Sequence, residues 1–573
     1  MALLPISRCW RLFIFGVAAC FLCIDTSGRL SFHLFAIPFL TLYILCVLVA
    51  VLPHKLRTPV QFLLCLTIFV ICLIDLYCQE YFGSRITPQI VNMIVQTDGR
   101  EISDFLTTYV NTSIFMRWKI VVLFLLFAIL LLMFFYHFQL DCEKRFPRAY
   151  QMIIISLISF LFVLELPNQV KFFKLLFSSD TIQEIEGMTF QNYDKGAATP
   201  MHRLLLSLSV TSHTDNLLRN IHQATLEAEI DSCSHESPHI VLVIGETYNK
   251  HHSQLYGYPL QTTPYQAQRN AAGELFVFKD VVTPWNITSN VFTSAFSLWH
   301  YGDIESIGHY PLFPILFKRA GYQVRFFSNQ YIQDGLLRGG TNLSGGFFLG
   351  DEVLSDSLFN YRNESPSYFD MGLIRQLREY VDSVGNVPYT LDIIHLIGQH
   401  FSYKKRYPRS AEYFHITDYK SRHLPNEQSE LIAAYDNATR YNDLVIDSII
   451  THYEHDDAII VYVADHGEEV FDDLPVRGRL FQEPSKRQAN QEFEVPLWIW
   501  CSPAYRSSHR KIVDEIKSSV NQPFMIDDLS QLLLYLAGIH SKWTNHSCCP
   551  ISKEYNSSRP RLIYGKVDYD KLK

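Results

Sequence analysis

HIVLVIGET (residues 239–247) and AIIVYVADHG (residues 458–467) are the stretches that decide the fold of this 573-residue chain. Each is an apolar run of strand length that stops at groups able to bind a metal: Glu246 and Thr247 in the first, Asp465 and His466 in the second. Acidic and imidazole groups at the carboxyl ends of strands form the kind of site that open α/β sheets build. Further strand-like runs at 322–328, 389–397 and 495–500 alternate with helical patterns, which predicts a mostly parallel sheet covered by helices. In such a sheet the residues just past the strand ends converge in one crevice. Glu246, His395, His400, Asp465 and His466 are therefore expected together. Singly, a carboxylate after a strand commonly caps a helix or faces water, and a histidine commonly sits in a core, so the weight rests on the constellation. Asp465-His466-Gly467 is its strongest member, because adjacent oxygen and imidazole ligands followed by glycine suit a tight turn around a divalent ion. Thr288 lies between the two strands, in the hydroxyl-rich stretch VVTPWNITSNVFTS. It adds a hydroxyl that a metal can activate as a nucleophile.

The amino-terminal part has a different character. Five hydrophobic segments, roughly 10–26, 33–52, 59–78, 118–137 and 150–166, each approach the ~20 residues that cross a bilayer. Short-loop cations set their orientation: Arg8 and Arg11, Lys55 and Arg57, and Lys144, Arg145 and Arg148 all belong on the cytoplasmic side. The 79–117 loop and everything after residue 167 then lie outside the cytoplasm. VKFFKLLF (170–177) is basic and aromatic, in keeping with a short segment lying in the membrane interface or with a simple linker helix. The expected division is a five-span transmembrane domain (1–168), a helical bridge (169–236) and a catalytic domain (237–573). A net charge of -8 gives no reason to expect nucleic acid as a partner. Eight of the twelve cysteines lie in or beside the apolar segments and read as small apolar residues; of the remaining four, Cys233 and Cys501 are the candidate disulfide.

Five motifs together resemble a known family. IGETYNKHHSQLYGYPLQTTP (244–264), VVTPWNITSN (281–290), HLIGQHFSYKKRYP (395–408), YDNATRYND (435–443) and ADHGEEVFDD (464–473) occur in the order seen in bacterial phosphoethanolamine transferases. These form part of the sulfatase-like branch of the alkaline phosphatase superfamily, and the wording is most similar to that of the core-oligosaccharide enzymes. The resemblance implies an α/β/α sandwich of the alkaline phosphatase/sulfatase type, in the periplasm, behind a five-helix anchor in the bacterial inner membrane. It implies a zinc site of Glu246, Thr288, Asp465 and His466, with Thr288 as nucleophile. It places His395 and His400 near the phosphoryl group or a further zinc, and Asn92, Thr97 and Glu101 of NMIVQTDGRE (92–101) near a lipid donor. The implied reaction moves phosphoethanolamine from phosphatidylethanolamine to lipopolysaccharide, on core heptose or lipid A, through a phosphoethanolamine-threonine intermediate. One departure bears on the metal: residues 467–494 hold no histidine where the family usually has one, so one firmly bound zinc ion is expected.

Three other readings stand beside this one. A sulfatase needs a C/S-x-P-x-R sequence, and TSNVF (288–292) is nothing like it. A glycerol-phosphate transferase of the lipoteichoic-acid-synthase type shares five spans and a threonine-based outer domain, but not the GYPLQTTP and DHGEEV wording. A catalytically silent membrane scaffold would have no need to keep Glu246, Thr288, Asp465 and His466 together.

Overall fold

The computed structural model describes residues 4–24, 32–82, 85–87, 90–91, 116–136, 148–177, 199–212, 214–303, 305–330, 352–480 and 484–573. Two compact units emerge, one from the described residues between 4 and 214, the other from Asp215–Arg479 and residues 484–573.

In the first unit, five helices are long and apolar enough to cross a membrane. They are α1 (Leu4–Leu22), α2 (Phe32–Val51), α3 (His54–Phe82), α4 (Trp118–Phe135) and α5 (Arg148–Leu176). Leu12, Leu42, Cys46, Ile68 and Leu123 pack into one buried cluster, whereas Leu63, Leu125, Leu132, Ile153 and Val163 are exposed. Apolar side chains on both faces are what a bundle immersed in hydrocarbon requires. The fifth helix departs from expectation. It runs through Pro167 to Leu176, and its apolar window is Ser156–Lys174, so most of 170–177 belongs to the same helix as the fifth apolar segment. Helix α6 (Pro200–Ser212) carries Arg203, whose guanidinium bonds Asp75 of α3 at 3.1 and 2.5 Å. Both side chains are fully buried, and each needs the other, since a lone charge there would be costly. The described cysteines of this unit are buried and free, while Cys142 lies outside the described residues.

The second unit is a mixed α/β domain around a seven-stranded sheet. In chain order its strands are β1 (His239–Gly245), β2 (Leu275–Phe278), β3 (Gln323–Ser328), β4 (Tyr361–Arg362), β5 (Thr390–His395), β6 (Ala458–Ala464) and β7 (Leu497–Cys501). Their spatial order is β2-β7-β6-β1-β5-β3-β4. Strand β1 is central and parallel to both β5 and β6. Among the described strands, β7 alone points the opposite way, antiparallel to both β6 and β2. The mostly parallel sheet is thus as expected, and two short strands, β2 and β4, had no clear sequence pattern. Strands β1, β5 and β6 are buried almost end to end because helices cover the sheet. Cys233 and Cys501 are both free, so the candidate disulfide is not formed.

Candidate metal and nucleophile site

Register brings the acidic groups together. Gly245 pairs with Ala464 in the parallel ladder between β1 and β6, so Glu246 and Asp465 leave the sheet side by side. The Asp465 amide donates to the Gly245 carbonyl at 2.9 Å. The Thr247 amide returns a bond to Asp465 Oδ1 at 3.0 Å, and the Thr247 hydroxyl donates to Glu246 Oε1 at 2.5 Å. Thr247 holds a left-handed backbone (φ 56°), which a β-branched residue adopts only under constraint. Across the crevice, Gly398 at φ 45° lets its backbone approach Glu246, where a Cβ would stand 2.8 Å from the Glu246 carbonyl oxygen.

Thr288 is the first residue of helix α7 (Thr288–Phe296). Its Oγ1 donates to Glu246 Oε2 at 3.0 Å and lies 3.4 Å from His466 Nε2. At this helix end, free amides and the helix dipole favour negative charge. His466 Nδ1 donates to the Gly467 carbonyl at 2.8 Å. That bond leaves the Nε2 lone pair facing the cluster, as a metal-ligating imidazole requires. Burial, then the Arg479 charge, pushes the His466 pKa down to about 3, so the ring is neutral. Glu246, Asp465 and His466 each offer a ligand atom within 4.8 Å of the others, and all three are buried.

Burial opposes ionisation of Glu246, but His395, His466 and His400 hold its pKa well below the carboxylate range. Burial and the neighbouring Glu246 push Asp465 well above it. Asp465 Oδ2 is buried without a hydrogen bond, 3.3 Å from His466 Nε2. A crowded acidic pair with an orphaned oxygen fits a divalent cation better than it fits protein alone.

His395 ends β5 and places Nε2 3.8 Å from Glu246 Oε2. His400 is buried within electrostatic reach of Glu246 and His466, and burial lowers its pKa to about 3. Asn92, Thr97 and Glu101 lie outside the described residues. Two neighbours carried no sequence signal. Gln330, just beyond β3, donates to Glu246 Oε2 at 2.8 Å. Arg479 sets Nη1 2.9 Å from His466 Nε2 and 3.0 Å from the Asn286 carbonyl oxygen. It introduces a fixed cation within the 467–494 segment that lacks histidine.

A sulfatase family profile matches residues 238–539, which is more than half of the chain. The chain belongs to the sulfatase family. Among curated relatives, the phosphoethanolamine transferase EptC of Escherichia coli K12 is 26% identical over 353 residues, covering 60% of this chain and 59% of that protein. The crystal structure of the E. coli EptC carboxy-terminal periplasmic domain, in complex with Zn, is 25% identical with a TM-score of 0.52. It covers 60% of this chain and 97% of that domain. The integral membrane lipooligosaccharide phosphoethanolamine transferase A of Neisseria meningitidis shares the fold across 96% of this chain and 97% of its own, at 19% identity and a TM-score of 0.57. Among the described residues, five apolar helices precede the sulfatase-type α/β domain, and the fold is shared with that integral membrane protein.

Proposed function

We propose that this sulfatase-family chain is an inner-membrane enzyme that transfers phosphoethanolamine from phosphatidylethanolamine to lipopolysaccharide, with its catalytic domain in the periplasm. The observation that carries the reading is the position of Thr288: a buried hydroxyl at a helix amino terminus, 3.0 Å from a carboxylate of a metal-ligand cluster. Relatives named phosphoethanolamine transferases, one with a domain crystallised with Zn, support it.

On this reading Glu246, Thr288, Asp465 and His466 hold one zinc ion. The ion would supply Lewis acidity and lower the pKa of the Thr288 hydroxyl. Thr288 Oγ1 attacks the donor phosphorus, the phosphorus–oxygen bond to diacylglycerol breaks, and phosphoethanolamine remains esterified to Thr288. Glu246 Oε2 already accepts the hydroxyl proton, so the lone pair of Oγ1 is oriented before substrate arrives. The amino terminus of α7 and Arg479 offer positive potential to the transferred group. His395 and His400 are assigned to its oxygens and to the proton transfers, His400 entering neutral because burial lowers its pKa. A hydroxyl or phosphate of the acceptor, on core heptose or lipid A, then displaces Thr288. Asn92, Thr97 and Glu101 are assigned to the donor headgroup. The added amine would weaken attraction of cationic antimicrobial peptides to the anionic surface.

Mass spectrometry of lipopolysaccharide from cells with the gene, without it, and carrying Thr288→Ala tests this. The phosphoethanolamine increment should vanish on deletion and fall by more than ~10³-fold with Thr288→Ala, as for loss of a covalent nucleophile. An undiminished increment in the Ala strain would reject Thr288 as nucleophile. A glycerol-phosphate increment in its place would favour the lipoteichoic-acid-synthase reading.

A further inference from the structure

A second group of metal-ligand side chains lies in the same unit, assembled from other elements. His300 follows helix α7, Asp528 ends a short 3-10 turn (Ile526–Asp528), and Cys548 ends another (His546–Cys548). Their ligand atoms all lie within 4.8 Å of one another. We propose that His300, Asp528 and Cys548 form a structural site for a thiophilic divalent cation, zinc foremost, that braces the carboxyl end of the helix beginning at Thr288.

The surroundings of each residue point to a ligand. Asp303 holds His300 from behind: its Oδ2 accepts the His300 amide at 3.1 Å, and its Oδ1 lies 3.4 Å from His300 Nε2. His300 Nδ1 is left buried without a hydrogen bond. A carboxylate on one ring nitrogen with the other free is the arrangement that orients metal-binding histidines. Asp528 is 1% exposed, and its carboxylate meets no hydrogen-bond donor of good geometry, with the Cys548 thiol turned toward it. The Arg559 guanidinium lies 2.7 Å from Oδ2, but the same guanidinium also bonds both oxygens of Asp527, at 2.9 and 2.7 Å. One buried cation thus faces two buried carboxylates and leaves a net negative charge. Binding removes the Cys548 proton to solvent and forms a sulfur–metal bond. Two added positive charges and one thiolate then cancel the excess. Thiolate, imidazole and carboxylate donors favour zinc over magnesium or calcium.

The site does not depend on the transferase reading, because its donor set includes sulfur and the cluster around Glu246 does not. The full-length chain in detergent, stripped with chelator and titrated with Co²⁺, should develop thiolate-to-cobalt charge-transfer absorption in the near ultraviolet. Cys548→Ala should abolish that band, while Asp465→Asn should retain it and lose only cobalt bound without sulfur. Should Cys548→Ala fail to fold, His300→Ala must weaken cobalt affinity of the band by at least tenfold. Zinc should also raise the melting temperature of Asp465→Asn but not of the double variants Asp465→Asn/Cys548→Ala and Asp465→Asn/His300→Ala, in which both sites are impaired. Absence of the band in folded wild type, or its survival in Cys548→Ala, would overturn the proposal. Loss of transferase activity in Asp465→Asn with the band intact would show that the two sites stand or fall separately.

Discussion

Two buried acid–histidine clusters in this domain use the same residue types and share two sequence motifs, yet they are finished differently. The segment 244–264 supplies Glu246 to one and His252 to the other; 464–473 supplies Asp465 and His466 to one and Asp472 to the other. Around His252 every group is matched. Nδ1 meets Asp436 Oδ1 at 2.5 Å and Nε2 meets Asp472 Oδ2 at 2.9 Å, while Tyr258 and Tyr419 donate to Asp436 Oδ2 at 2.9 and 2.5 Å. Arg422 completes Asp472 at 3.0 Å. Burial opposes a charge on His252, but Asp472 and Asp436 outweigh it and raise the pKa to about 10. His466, with no such carboxylate clamp, is driven to about 3, and Asp465 keeps an orphaned oxygen. A closed cluster serves the fold. An open one, with acid to spare and an orphaned carboxylate oxygen, has the character of a ligand site.

The contrast can be broken most sharply at Asp465. Asp465→Asn should lower transfer activity by ~10²-fold or more, from impaired metal binding. It should leave the metal-free protein at least as stable as wild type, since it removes one of two crowded carboxylates. Steady-state kinetics and melting of chelated samples check both halves, and a destabilised metal-free variant would contradict the open-cluster description. His252→Gln should do the reverse. Removing the central cation strands Asp436 and Asp472 and should cost about 3–5 kcal/mol by denaturant unfolding. The smallest expected effect is on pH dependence. A histidine with a folded pKa near 10 and an unfolded value of ~6.5 contributes fully below pH ~6.5, and its contribution disappears as pH rises to about 10. Wild type should therefore lose more unfolding free energy than His252→Gln between pH 7 and 9.5. Parallel losses would mean that His252 is not charged in the fold.

Much of the sheet was legible because β1, β5 and β6 are buried on both faces and read as uninterrupted apolar runs. Glu246, Asp465 and His466 were legible for the same reason: each marks the point where such a run ends in polar chemistry. Thr288 was not, since a hydroxyl in a hydroxyl-rich stretch has no distinguishing pattern; only the ordered motifs singled it out. Gln330 and Arg479 reach the cluster from loops, where neither periodicity nor spacing marks a residue. His300, Asp528 and Cys548 are far apart in the chain and meet only through tertiary packing. The fifth apolar helix ran longer than its pattern suggested because Pro167 is accommodated inside it, and hydrocarbon favours an unbroken hydrogen-bonded backbone.

The pairing of β1 with β6 has a consequence for assembly. The bond from Thr247 to Asp465 closes a loop of 218 residues, so the centre rests on a long-range contact. Long-range strand pairing is slow, and it waits on synthesis of the later strand. A chain emerging amino terminus first presents Glu246 and then Thr288 well before Asp465 and His466 arrive. Every truncated product ending short of residue 465 therefore lacks half of the cluster, and the metal-ligand group is complete only once the later strand has been made.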